Sequence, residues 1–262
     1  MNERPSVSGA IRAALLTGDA RGKVMATRKL VRDWRQRRLT FTFDCAMPDD
    51  PARPDRPELL APNMMPKRGK GGSERGRIAL WHALAHIEFV AIDLALDMAG
   101  RFGEQMGRDF VDDFLSVAAD EAMHFALLDR KLATLGSRYG AHAGLWSAAR
   151  DTRHDVAARL AVVPMVLEAR GLDVTPATRD RVAAMGDANG ARILQRILDD
   201  EIRHVRFGTK HFDELCRTND EMPREKWQNL IGLHFRGRLK SPFNDSAREA
   251  AGLPRDYRNG IV

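Results

Sequence analysis

The chain has 262 residues, enough to bury a sizeable core as one elaborated domain. Hydrophobic residues make up 44% of the sequence and charged residues 30%, which disfavours both a disordered chain and a membrane protein. The formal net charge of +6 tolerates an anionic partner without requiring one, because the basic residues are scattered along the chain.

The cysteine content and the apolar segments indicate the cellular compartment in which the protein is expected. Cys45 and Cys216 are too few for a cysteine-based zinc site or a secreted disulfide framework. The first residues lack an apolar run of signal-peptide length, and the most apolar stretch, Ile78 to Met98, is interrupted by histidines and acidic residues. We therefore expect a cytoplasmic protein that does not span a membrane.

Residues 1–73 are predicted to form basic helices followed by a proline-rich arm that packs on the rest of the protein. One or two helices are expected between residues 8 and 38, ending in the longest basic cluster, Arg35-Gln36-Arg37-Arg38. A packing role is favoured over an RNA-binding one, because no aromatic stacking platform accompanies these charges. Six prolines between Pro48 and Pro66 then predict an extended arm.

Residues 74–217 show the apolar spacing of helices and almost no alternating pattern typical of strands. The pattern predicts helices over about 74–103, 109–136, 143–170 and 188–217, which together indicate an all-α four-helix bundle. Residues 218–262 are predicted to be an extension with one helix and an irregular basic end.

Cap and break signals set the predicted helix ends. Ser73 and Asp109 are candidate N-caps, and Gly171 is expected to end the third helix. Thr175-Pro176 has the order of a helix start, and Gly186-Asp187 reads as a break followed by a cap. Pro164 should disturb the third helix.

Each predicted long helix carries a carboxylate on its apolar face. The second and fourth helices also carry a histidine one turn after that carboxylate, in a Glu-x-x-His pattern. The inward polar residues are Glu88, Glu121, His124, Glu168, Glu201 and His204.

Four buried carboxylates would repel one another unless a cation lay among them. Glu-x-x-His suits a metal ion, because residues three apart share one helix face and can grip one ion together. Glu121 follows Glu88 by 33 positions, and Glu201 follows Glu168 by the same 33. The pattern thus predicts two related helix pairs that hold two metal ions.

This arrangement resembles the ferritin-like di-iron carboxylate superfamily, in which two helices each supply a Glu and two others each supply Glu-x-x-His. Flanking segments are similar to the ferritin-like family of domain of unknown function 455. Those segments are Pro57-Glu58-Leu59-Leu60-Ala61-Pro62, His82-Ala83-Leu84-Ala85-His86-Ile87-Glu88, Glu168-Ala169-Arg170-Gly171-Leu172-Asp173 and Asp200-Glu201-Ile202-Arg203-His204. The tRNA isopentenyl-adenosine hydroxylase is a more distant relative by this resemblance.

The resemblance also implies roles for Asp120 and Asp200, each of which precedes the Glu of a Glu-x-x-His pattern. Asp200 would hold the ring nitrogen of His124, and Asp120 that of His204. The alternative is that both are solvated acids on the helix surface.

Several histidines fall outside the predicted ligand set. His82 and His86 lie on the opposite face of the first long helix from Glu88, which favours a packing role. His211 lies two turns beyond His204, where it is either a hydrogen-bonded core histidine or part of an access path.

The leading functional hypothesis is an O2-dependent oxidase or hydroxylase with two iron ions, or with manganese or a mixed Mn/Fe pair. Its partners would be O2, an electron donor, and a substrate that is either a small molecule or a modified nucleoside in RNA. The alternatives are metal handling, as in ferroxidases and iron storage, a tRNA-modifying hydroxylase, and a purely structural metal. The long extensions favour a monomer or dimer over a storage cage.

Overall fold

The computed structural model describes residues 4–54, 73–137, 139 and 146–260. Their regular structure is helical, and the described residues contain no β-strand, only an isolated bridge between Ser6 and Thr40. The helices are α1 (Val7–Leu15), α2 (Ala20–Arg35), α3 (Glu74–Met106), α4 (Arg108–Thr134), α5 (Trp146–Asp151), α6 (Val156–Val162), α7 (Ala169–Ala184), α8 (Ala188–Thr218), α9 (Pro223–His234) and α10 (Asp245–Ala250). A π-helical turn spans Val163–Glu168, and a 3₁₀ turn spans Arg255–Arg258.

The chain forms two compact units, residues 1–146 and residues 147–262. The all-α class predicted from the sequence is confirmed. The predicted division into 1–73, 74–217 and 218–262 stays a prediction, as does the four-helix bundle. The predicted arm from Pro48 to Pro66 lies largely outside the described residues.

The first unit is built on the antiparallel pair of α3 and α4. Ser73 caps α3 by accepting a hydrogen bond from the Gly76 amide at 3.1 Å, as predicted. The predicted cap at Asp109 is wrong, because the chain turns at Gly107, whose φ of +90° suits glycine. Asp109 instead lies in the first turn of α4.

The amino-terminal helices pack on this pair and are joined to it by buried charges. α1 contacts α3, and α2 contacts α4. The fully buried Lys23 of α2 places its Nζ 2.5 Å from Asp93 Oδ1 of α3 and also donates to the Ala52 carbonyl at 2.9 Å. Arg53 lies 3.2 Å from the second carboxylate oxygen of Asp93. These contacts hold α1 and α2 on the pair of α3 and α4.

The second unit differs most from the sequence-based expectation. The predicted third helix over 143–170 is interrupted after α5 and restarts at α6, capped by Asp155, and it does not end at Gly171. α7 runs through Gly171 and Pro176 to Ala184. Proline in a helix leaves the carbonyl four residues earlier without its partner, and here the Asn244 side chain donates to that Leu172 carbonyl at 3.1 Å.

Pro164 disturbs the helix as predicted, in the form of the π turn between α6 and α7. The Ala161 carbonyl at the entry to this turn accepts a hydrogen bond from Trp227 Nε1 of α9 at 3.3 Å. The predicted break at Gly186-Asp187 is confirmed, since Asp187 caps α8 through the Gly190 amide.

The carboxyl-terminal residues contain more regular structure than the single helix predicted. α9 packs on α6, and α10 is fixed by a buried ion pair in which Arg248 grips Asp173 of α7 through two hydrogen bonds of 2.8 Å. These long-range pairs hold the extension on the second unit.

α3 is the one described helix long and apolar enough to cross a membrane by length and composition. However, 67% of its most apolar 18-residue stretch is buried inside the protein, as in the core helix of a soluble protein. The expectation of an ordinary core helix over Ile78 to Met98 agrees with this burial.

Candidate metal centre

The first unit brings together three of the predicted ligands. Glu88 of α3 and Glu121 and His124 of α4 are buried, with 5%, 0% and 0% of their surface exposed. Each offers one ligand atom within 4.8 Å of the others. His124 Nδ1 lies 3.2 Å from Glu88 Oε2 and 3.5 Å from Glu121 Oε2. A buried group of this composition could hold a metal ion.

Local packing explains why these side chains converge. Glu88 and His124 precede Phe89 and Phe125, whose ring centroids lie 5.2 Å apart between α3 and α4. This aromatic contact packs α3 against α4 next to the ligands. Glu121 lies one helical turn before His124 and therefore faces the same way.

The electrostatics of this group favour a bound cation. Burial raises the pKa of Glu88 well above its ordinary value, and the neighbouring carboxylate of Glu121 raises it further, while His124 acts in the opposite direction. A carboxyl group in this setting resists ionisation unless positive charge compensates it. A divalent ion would supply that charge.

The second unit contains the matching three residues. Glu201 and His204 of α8 are 7% and 0% exposed, and Glu201 Oε1 lies 3.7 Å from His204 Nδ1. Glu168 is half-buried at the end of the π turn. A β-carbon placed on Gly171, one turn after Glu168, would lie 4.0 Å from Glu201 Cγ, so this part of α7 runs close to Glu201.

Asp120 and Asp200 have different surroundings. Asp200 is 6% exposed and accepts a hydrogen bond from Arg196 Nε at 2.6 Å, with Arg203 at 3.5 Å. It is therefore not a solvated surface acid. Asp120 is half-buried on α4. Their predicted roles towards the two histidines stay predictions.

His82 and His86 of α3 each have a polar partner. His82 Nε2 lies 2.9 Å from the Ser137 hydroxyl, and His86 Nδ1 lies 2.8 Å from the Tyr139 hydroxyl. The His86 and Tyr139 rings also stack, with centroids 6.1 Å apart. The packing role predicted for both histidines agrees with these contacts. In the second unit, His211 is 2% exposed on α8.

Sequence reasoning missed a contact between an arginine and two aromatic rings in the first unit. The Arg108 guanidinium lies 4.6 Å from the centre of the Trp34 ring and 5.2 Å from that of Phe41. Trp34 is 5% exposed and is covered by Arg108, so the expectation that no open stacking platform accompanies the amino-terminal basic cluster stays a prediction. The partners come from separate parts of the chain, so no local pattern could have revealed them.

Comparison with known proteins agrees with the similarity of the flanking segments. The family described as "Protein of unknown function (DUF455)" matches residues 16–259. An uncharacterized protein of Haemophilus influenzae is 43% identical over 211 residues, which cover 77% of this chain and 73% of that relative. No solved structure matches the chain. The chain belongs to the DUF455 family.

Proposed function

We propose that this protein is a cytoplasmic ferritin-like di-metal carboxylate oxidoreductase. In this proposal, Glu88, Glu121 and His124 of the first unit and Glu168, Glu201 and His204 of the second together hold two metal ions in a four-helix bundle. The observation that carries it is the convergence of Glu88 with Glu121 and His124, three buried ligand-type side chains with ligand atoms within 4.8 Å.

The repetition of this pattern supports a paired site. Each unit carries a lone Glu on one helix and Glu-x-x-His on the next, with the same separation of 33 residues. In the second unit, α7 runs close to Glu201, and the π turn ends at Glu168. Taken together, these residues supply four carboxylates and two imidazoles, the donor set of a di-iron centre.

The donor chemistry fits iron or manganese. Carboxylates and imidazoles suit divalent first-row metals, and the described part of the chain brings no cysteine into either half. When bound, two iron ions would supply electrons and open coordination positions for O2. The protein's own part is to place the carboxylates close together in a buried site, to fix the rings of His124 and His204, and to exclude water.

Asp120 and Asp200 complete this proposal. Asp200 would orient His124, and Asp120 would orient His204, each by accepting a hydrogen bond from the imidazole nitrogen that does not face the metal. Asp200 is 6% exposed and accepts a hydrogen bond from Arg196 Nε, which fixes the position of its carboxylate on α8.

The experiment is to load the metal-free protein with Fe(II) without oxygen, expose it to O2, and record the near-ultraviolet absorption of ferric iron and the O2 consumed. We expect rapid oxidation confined to about two irons per chain, the number that this donor set accommodates. The Glu201→Ala variant should lose the reaction. Continued uptake of many irons per chain would instead indicate metal storage.

A further inference from the structure

A cavity in the first unit lies away from Glu88, Glu121 and His124. It is about 300 Å³ in volume and lies between the end of α2 and the start of α4. Its polar lining consists of Trp34, Arg35, Arg37, Arg108, Asp112 and Ser116. Its volume is at the lower end of the range of small-molecule sites in proteins.

The cavity is strongly cationic. Arg35, Arg37 and Arg108 line it, and none of these guanidinium groups forms an ion pair within the described part of the chain. The single acid in the lining, Asp112, accepts a hydrogen bond from Trp34 Nε1 at 2.5 Å. Three positive charges thus face one negative charge, which is already engaged by a donor.

Contacts within the protein position the guanidinium group of Arg108 and the backbone of Arg37. Arg108 lies over the faces of Trp34 and Phe41, which leaves the edge of its guanidinium group available to a ligand. Arg37 has a left-handed backbone with φ of +55°, and its carbonyl accepts a hydrogen bond from Arg4 Nη1 at 2.8 Å. This conformation ends α2, because the Arg37 amide donates to the Trp34 carbonyl and the Arg38 amide to the Asp33 carbonyl, each at 2.9 Å, and it fixes where Arg37 leaves the helix.

We propose that this cavity binds a phosphate group. Guanidinium groups match the oxygens of phosphate through paired hydrogen bonds, and the clustered charge would balance a dianion. The phosphate could belong to a free small molecule or to a nucleic-acid chain, which share this chemistry. The site would be separate from the proposed metal centre and does not depend on it.

The test measures binding of inorganic phosphate, adenosine monophosphate and a short single-stranded RNA to the full chain by titration calorimetry. Arg37→Gln and Arg108→Gln remove one cavity charge each. Arg28→Gln is the matched control, because Arg28 is an exposed arginine of α2 that does not line the cavity. Circular dichroism establishes that each variant is folded.

We expect at least one probe to bind, with a roughly tenfold or greater loss of affinity in each cavity variant and unchanged affinity in Arg28→Gln. If the ligand is nucleic acid, RNA binds most tightly, and three phosphate contacts predict a roughly 20-fold weakening between about 50 and 200 mM salt. If it is a free molecule, the mononucleotide or phosphate binds as well as RNA. Failure of all three probes to bind, or an equal loss in Arg28→Gln, would overturn the proposal.

Discussion

Pro164 packs directly against Gly208. A β-carbon on Gly208 would lie 2.5 Å from both Cβ and Cγ of Pro164, which is closer than real β-carbons come to non-bonded atoms. Pro164 lies in the π turn one helical turn before Glu168, and Gly208 lies one turn after His204 on α8. The contact therefore sets the separation of the two segments that carry the ligands of the second unit.

Gly208→Ala is expected to destabilise the protein by about 1–3 kcal/mol, because the added methyl group must displace the Pro164 ring. It should also reduce metal content by moving Glu168 away from His204. Thermal unfolding and elemental analysis measure the two effects. Gly232→Ala on α9 is the control, since a β-carbon there meets nothing within 4 Å. A Gly208→Ala protein as stable as Gly232→Ala would contradict the tight contact.

The buried pair of Lys23 and Asp93 yields a prediction about stability. Asp93→Ala would leave the cations of Lys23 and Arg53 without their carboxylate, which we expect to cost about 3–5 kcal/mol. Lys29→Ala is the control, because it breaks an ion pair with Asp33 in which the lysine side chain is 70% exposed. That pair should contribute about 1 kcal/mol or less. Chemical denaturation measures the free energy of unfolding of both variants. Equal losses of this free energy would contradict the larger contribution expected of the buried pair.

Substitution of the proposed ligands tests the assignment of helix faces. Glu121→Ala and Glu201→Ala should each remove one or both metal ions, because each deletes a ligand on a Glu-x-x-His pair. His86→Ala should leave the metal content intact, since His86 contacts Tyr139 instead. Elemental analysis of the three proteins checks this. Equal metal loss from all three would show that the faces are assigned wrongly.

The raised pKa of Glu88 predicts a pH dependence of the metal-free protein. In the unfolded chain this carboxyl ionises near its ordinary pKa of 4.5, whereas in the folded protein it keeps its proton to higher pH. The unfolded state therefore binds fewer protons above pH 4.5, and the free energy of unfolding should fall as the pH rises from there towards the raised pKa.

The neutral variant Glu88→Gln should lack this contribution. In the presence of a chelator, denaturant unfolding should show the variant gaining stability relative to the wild-type protein as the pH rises. A stability difference that stays constant across the same pH range would contradict the raised pKa.

Local chemistry made much of the fold predictable from the sequence. The Ser73 cap, the break before Asp187 and the disturbance at Pro164 each depend on residues within one turn. Helix periodicity alone placed Glu88, Glu121 and His124 on inward faces. The agreement there reflects how strongly an isolated charge stands out on an apolar face.

Two features that the sequence did not predict come from contacts between distant parts of the chain. The order Thr175-Pro176 predicts a helix start, but α7 continues through Pro176, and Asn244, 68 residues later, donates to the Leu172 carbonyl that the proline leaves without its partner. Asp93 faces Lys23 and Arg53 only after the amino-terminal segments pack on α3. No pattern within one helix records such partners.

The most direct test of the central claim is the metal content of protein purified without chelator, measured by elemental analysis. The proposed set of four carboxylates and two histidines predicts about two iron or manganese ions per chain, or uptake of two on loading. Absence of stoichiometric metal, together with no uptake on loading with Fe(II) or Mn(II), would contradict the metal centre and the oxidoreductase function proposed from it.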